Sequence, residues 1–391
     1  MNNKLFLCGK VITGEKKSYF RGSIATENDE ILFIAENGDE ATNEFIQNFR
    51  PKIIDLSHLT IIPGFIDIHT HGALGLDFVN PTQRTVNRIA RQFVKEGVTG
   101  FLSSIMVLPR KEELRVLKKY ATLTSPHQGA RWLGIHNEGP YMSHEYKAMM
   151  DERYLRLPDI NELNENVHVA EGKLRMITLA PELKGMEEFI PACKEKGITV
   201  MMGHSSATAP EVLHAISLGA DGFTHLYNAM TQHTHRNPGM VSAALLKGET
   251  FAELICDGIH VDPLVIRLTY QTIGSERIVL VSDAMPGKAM ADGEFVFGGI
   301  PCITKNGKAY ARDTGRIAGS VIGMDDAFRN IQKFTGCSME DAVQMCSVNP
   351  SKLIHLDQSI GSLHPHKKAD FIALDNDMKV VSVIIGAERI L

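Results

Sequence analysis

Six side chains able to bind or serve a divalent metal each close an apolar, strand-like run. They are His69 and His71 in FIDIHTHG, Glu138 in WLGIHNEGP, His204 in ITVMMGHS, His225 in GFTHLYN and Asp283 in RIVLVSDAM. His69 and His71 stand two apart, so on a strand both imidazoles face the same way and can share one metal. Gly139 and Pro140 stop the strand directly after Glu138. Imidazoles together with a carboxylate suit zinc or iron and leave a coordination position open for water. A carboxylate at Asp283, beside such a water, can take its proton and later pass it to a leaving group. Taken singly, each histidine is more often a core or turn residue, and Asp283 more often a helix cap. Five separate strand ends that all carry ligand types favour the metal reading.

The elements that must position these groups follow from periodicity. Strand-like runs begin near residues 61, 98, 131, 174, 198, 222, 251 and 277. Between them lie amphipathic stretches such as TVNRIARQFVKEG, MEEFIPACKEKG and TAPEVLHAISLG, each ending at a glycine that stops a helix. Eight nearly continuous apolar strands alternating with helices predict an α/β fold, a closed parallel (β/α)8 TIM barrel. In that fold, side chains at the C-terminal strand ends converge on one mouth. An open doubly wound sheet is the other arrangement of such units, but no GxGxxG turn follows the first strand.

The two ends of the chain read differently. Residues 1–57 carry short β-rich segments, and DFIALDNDMKVVSVIIGAERI reads as two strands around an Asn-Asp turn. Neither end is long enough to bury a core alone. The expectation is therefore one small β-sandwich domain from 1–57 with 352–391, and a catalytic barrel over 58–351.

Composition sets the remaining bounds. The 391 residues are 43% hydrophobic and 22% charged, with a formal charge of −5. That balance gives no electrostatic reason to expect nucleic acid or an anionic membrane as partner. No apolar run approaches the ~18–20 residues needed to span a bilayer. The six cysteines are scattered without a CxxC, so neither a thiolate zinc site nor a dense disulfide framework is indicated, which fits a reducing cytoplasm. His364 and His366, in SLHPHKKAD, have metal-pair spacing but sit in a Pro- and Lys-rich turn expected at the surface.

PGFIDIHTHG, GIHNEGPYMS, GHSSAT, THLYNAM, RNPG, CDGIHVD, VSDAM and AGS, in this order, resemble the amidohydrolase superfamily. More narrowly, the chain is similar to the N-acetylglucosamine-6-phosphate deacetylases along essentially its whole length. The resemblance implies an amide hydrolase that removes acetate from N-acetylglucosamine 6-phosphate in amino-sugar catabolism, through a metal-activated water. It implies Glu138, His204 and His225 as the main ligands of a divalent metal, zinc or iron before manganese or cobalt. His69 and His71 match a second metal position, so one or two ions per subunit are expected. By the same resemblance Asp283 is the general base and acid, and His260 contacts substrate. Arg236, with the backbone near Asn228 and Ala229, matches phosphate-binding positions, the arginine acting across the interface of a homodimer.

One stretch departs from the family pattern. A loop carrying Gly-Ala-His or Gly-Ala-Gln is usual after EGP, whereas here the positions read Ala148, Met149 and Met150. Met150 cannot make the hydrogen bonds of His or Gln. Either His144, Tyr146 or Lys147 replaces it, or the substrate differs where that loop touches it. N-acetylgalactosamine 6-phosphate or another N-acyl compound is the alternative substrate, and a catalytically silent phosphosugar-binding relative is the alternative class.

Overall fold

Each of the eight apolar runs forms a strand, and alternation along each strand divides its residues between two cores. The structure, a computed structural model, describes residues 2–15, 17–246 and 248–391. The strands are β1 (Phe65–Asp67), β2 (Val98–Ile105), β3 (Arg131–Glu138), β4 (Leu174–Leu179), β5 (Thr199–Met202), β6 (Gly222–Phe223), β7 (Phe251–Ile255) and β8 (Ile278–Val281). They pair in parallel in chain order. Asp283 N–H donates to His69 O at 2.8 Å and His71 N–H to Ala284 O at 2.7 Å, which joins the end of β8 to the end of β1.

Ile66, Leu102, Met176, Met201, Ile255 and Val279 fill the barrel interior. Their neighbours Phe65, Phe101, Ile177, Val200, Leu254 and Leu280 face the surrounding helices. The helix Gln83–Val94 is typical of that outer layer. Thr82 caps it by accepting from Thr85 N–H at 3.0 Å, and Val86, Ile89, Ala90, Phe93 and Val94 form its buried face. Truncating the fully buried Phe93 to alanine would cost about 3–5 kcal/mol.

The chain ends combine into a small β domain. Strands Asn3–Ile12, Ser18–Phe20, Gly22–Glu27, Glu30–Glu36, Lys52–Pro63, Phe371–Leu374, Val380–Ile385 and Glu388–Arg389 share one hydrogen-bonded sheet. It too buries both faces. Phe6 and Cys8 belong to the cluster around Phe371, whose ring lies 5.0 Å from that of Phe6. Leu5 and Leu7 turn the other way, toward Phe45 on the helix Glu40–Phe49.

The run IIPGFIDIH, one strand by its hydrophobicity, is shared between the two sheets. Ile61–Pro63 pair with Phe371–Ala373, while Phe65–Asp67 pair with β2. Gly64 separates them, and a Cβ there would collide with the Thr99 side chain. The strand Lys52–Pro63 consequently runs through the expected border at 57/58. The segment from 352 begins at the barrel base, where Leu353, Ile354 and Ile360 close the interior core. A three-stranded sheet, Gly293–Phe297, Ile300–Lys305 and Lys308–Ala311, follows β8 and reaches over the mouth. Among the described residues no helix is long and apolar enough to cross a membrane.

Candidate active site

The barrel brings all six strand-end residues into one buried cluster. Glu138, at the end of β3, is its hub. Its Oε1 lies 3.2 Å from His204 Nε2, 3.3 Å from His225 Nε2 and 3.4 Å from His69 Nε2. Its Oε2 lies 3.2 Å from His71 Nε2. Asp283 Oδ1 stands 3.3 Å from His71 Nε2 and 3.5 Å from His69 Nε2. Three of the strand ends leave the sheet through a ligand-type residue in the left-handed region: His204 at φ +50°, His225 at +32° and Asp283 at +45°. Such backbone costs on the order of 1–3 kcal/mol per residue and collects at functional sites.

Two overlapping groups could hold a metal ion: His69, His71 and Glu138, and Glu138, His204 and His225. In each, the ligand atoms lie within 4.8 Å of one another. The donor chemistry fits a cation. His204 Nε2 and His225 Nε2 face each other at 3.1 Å, and the buried His69 Nε2 and Glu138 Oε2 have no aligned hydrogen-bond partner among the described residues. His204 donates Nδ1–H to the Tyr146 carbonyl at 2.8 Å, which leaves Nε2 with its lone pair toward Glu138.

Charge points the same way. Burial opposes ionisation of Glu138, yet His69, His204 and His225 hold it well below the usual carboxylate range. Asp283 is likewise lowered against its burial, by His69 and His71. Burial depresses His71, but Asp283 and Glu138 outweigh it and raise the imidazole to about 9. Ionised carboxylates in this cluster require positive charge beside them, which either protons or a divalent cation can supply.

A cavity of about 250 Å³ opens over the cluster, lined by His71, Glu138, His204, His225 and Asp283 together with Asn228, Ala229 and His260. His260 donates Nδ1–H to Asp257 Oδ2 at 2.7 Å, while its buried Nε2 has no partner among the described residues. Burial lowers the His260 pKa, but Asp257 more than compensates, so the net shift is upward. Arg236 is placed otherwise. It is exposed on the segment between β6 and the helix Met240–Ala244, and does not line the cavity of its own chain.

The departing loop forms the apolar roof. Ala148, Met149 and Met150 line the cavity together with Phe297 and Ile317. Ala148 sits at φ +50°, where glycine is the easier residue. Of the expected replacements, Lys147 pairs with Glu152 at 3.0 Å, and the Tyr146 carbonyl is engaged by His204. His144 does not line the cavity.

Sequence reasoning missed Glu253, whose Oε2 stands 2.9 Å from His69 Nδ1. The signal was available: a single carboxylate inside the buried run FAELI. It also missed Phe297 and Ile317, which come from the insertion after β8. No periodicity announces where such an insertion will fold.

A family model described as the amidohydrolase family matches residues 60–390. The chain belongs to the amidohydrolase family. It is 35% identical over 329 residues to the N-acetylgalactosamine-6-phosphate deacetylase of Escherichia coli O157:H7, covering 84% of this chain and 87% of that one. It is 32% identical over 376 residues to the N-acetylglucosamine-6-phosphate deacetylase of Bacillus subtilis (strain 168), covering 93% and 94%. A solved N-acetyl-D-glucosamine-6-phosphate deacetylase from Mycobacterium smegmatis, a mutant in complex with N-acetyl-D-glucosamine-6-phosphate, superposes with a TM-score of 0.90. It is 27% identical, and the match covers 100% of both chains.

Proposed function

We propose that this chain is a metal-dependent hydrolase that removes acetate from N-acetylglucosamine 6-phosphate to give glucosamine 6-phosphate. The observation that carries the reading is Glu138, shared by two His-rich groups, with Asp283 Oδ1 beside His69 and His71 at 3.5 and 3.3 Å. Glu138, His204 and His225 would hold one divalent ion, and His69 and His71 with Glu138 a second. Zinc or iron suits this donor set best, with manganese and cobalt also compatible. A divalent ion supplies a lowered water pKa, toward about 7, and polarisation of the amide carbonyl.

The chain's own groups do the rest. Asp283, held ionised, takes the proton of the attacking water. It then delivers it to the nitrogen, because an amine leaves well only when protonated. His260, braced by Asp257, turns its free Nε2 toward the substrate. The backbone near Asn228 and Ala229 receives the phosphate. Arg236 completes that grip from the second subunit of a homodimer, a placement supported by its exposure away from its own cavity. Six free cysteines and no disulfide among the described residues support a cytoplasmic location.

N-acetylgalactosamine 6-phosphate is the second reading of substrate. It is favoured by the apolar Met150 in the roof and by the Escherichia coli relative. Steady-state acetate release from the two epimers decides between them, with the glucosamine epimer expected to turn over faster. No turnover of either would refute both.

A further inference from the structure

The four imidazoles of the cluster are not backed alike. His204 donates Nδ1–H to a neutral carbonyl, that of Tyr146, and the buried Nδ1 atoms of His71 and His225 have no partner among the described residues. His69 alone of the four is backed by a carboxylate. Glu253, fully buried on β7, accepts from His69 Nδ1–H at 2.9 Å through Oε2. The same oxygen accepts the His225 backbone N–H at 3.1 Å, where that residue holds its positive φ. Oε1 has no partner. One side chain from β7, a strand that contributes no ligand-type residue to the cluster itself, therefore touches a member of each candidate group.

An imidazole nitrogen accepts a cation only when it carries no proton, and the partner of the other nitrogen decides where the proton sits. We propose that Glu253 is a positioning residue that keeps the His69 proton on Nδ1. It thereby turns the Nε2 lone pair toward Glu138 and Asp283 and sets how tightly the His69–His71 side of the site holds a divalent ion. This rests on the metal reading above. Glu253 reaches neither the cavity nor the reacting atoms, so its influence passes through His69.

Glu253→Gln is the decisive variant. It preserves volume, and its amide oxygen can still accept the His225 N–H and the His69 Nδ1–H, but it removes the charge that tightens the hold on that proton and raises the basicity of Nε2. Zinc is the probe, with stoichiometry from atomic emission on dialysed protein and affinity from chelator competition. The most weakly held zinc should bind about tenfold less tightly in Glu253→Gln and about a hundredfold less tightly in Glu253→Ala. In a His69→Ala background, adding Glu253→Gln should change zinc affinity no further, a result a general loss of packing would not give. Parental affinity in Glu253→Gln, or an equal further loss in the His69→Ala background, overturns the proposal while leaving the metal reading intact. A parent protein that takes up no zinc overturns both.

Discussion

The floor and the roof of the cavity are built from opposite materials. The floor gathers Glu138, Asp283 and four histidines from five strand ends, all buried and within a few ångströms of one another. The roof is Ala148, Met149, Met150, Phe297 and Ile317, carried on two connecting segments and without a charged group. The floor is held by the barrel's own ladder and by the left-handed residues at its strand ends, so its geometry is inseparable from the fold. The roof can change without disturbing that ladder. Under the proposed function, reaction type rests on the floor, and substrate choice on the roof and the exposed Arg236.

That contrast can be broken at several points. The largest effect is expected from Glu138→Ala, which removes the carboxylate common to both groups. Acetate release should fall by at least about 10²–10³-fold, with metal content falling in parallel. An active variant with parental metal content would detach the floor from the chemistry. Arg236→Met comes next. Charge-assisted hydrogen bonds worth about 1.5–3 kcal/mol predict a rise in KM of roughly 10–100-fold for the phosphorylated sugar. The turnover number and the rate on an unphosphorylated analogue should barely move, and equal losses on both substrates would remove the phosphate role. Met150→Gln sharpens the roof. It should shift the ratio of kcat/KM between the two epimers by about tenfold or less, leaving metal content untouched. An unchanged ratio would release the roof from substrate choice.

The smallest effect concerns stability. His260 is raised by Asp257, so the bond between them stabilises the fold fully below the ordinary histidine value of about 6.5 and is lost as pH rises through the raised one. His260→Gln should lower thermal stability by less than about 3 kcal/mol near pH 6, and by less still well above His260's own titration point. Melting curves of parent and variant across that range check the sign.

The floor was legible in the sequence because each ligand type closes an apolar run, and a barrel converts strand ends into neighbours. The strand starts near 98, 131, 174, 222 and 251 coincide with observed strands for the same reason. What escaped was less periodic. IIPGFIDIH reads as one strand because hydrophobicity does not record which sheet a residue joins; the change of sheet falls at Gly64, where a Cβ would collide with Thr99. Phe297 and Ile317 reach the cavity through an insertion whose folding depends on tertiary packing. The phosphate role proposed for Arg236 comes from resemblance alone, and its own chain leaves it in solvent. Glu253 stood in plain view as the charge in FAELI, but its partner lies 184 positions away.

The most direct test is to strip the purified protein with a chelator, restore zinc in steps, and follow acetate release from N-acetylglucosamine 6-phosphate. Asp283→Asn should be carried through the same titration. The parent should regain activity in proportion to the zinc bound, whereas Asp283→Asn should bind comparable zinc and release no acetate. Full activity in the stripped parent, or undiminished acetate release by zinc-loaded Asp283→Asn, would contradict the account.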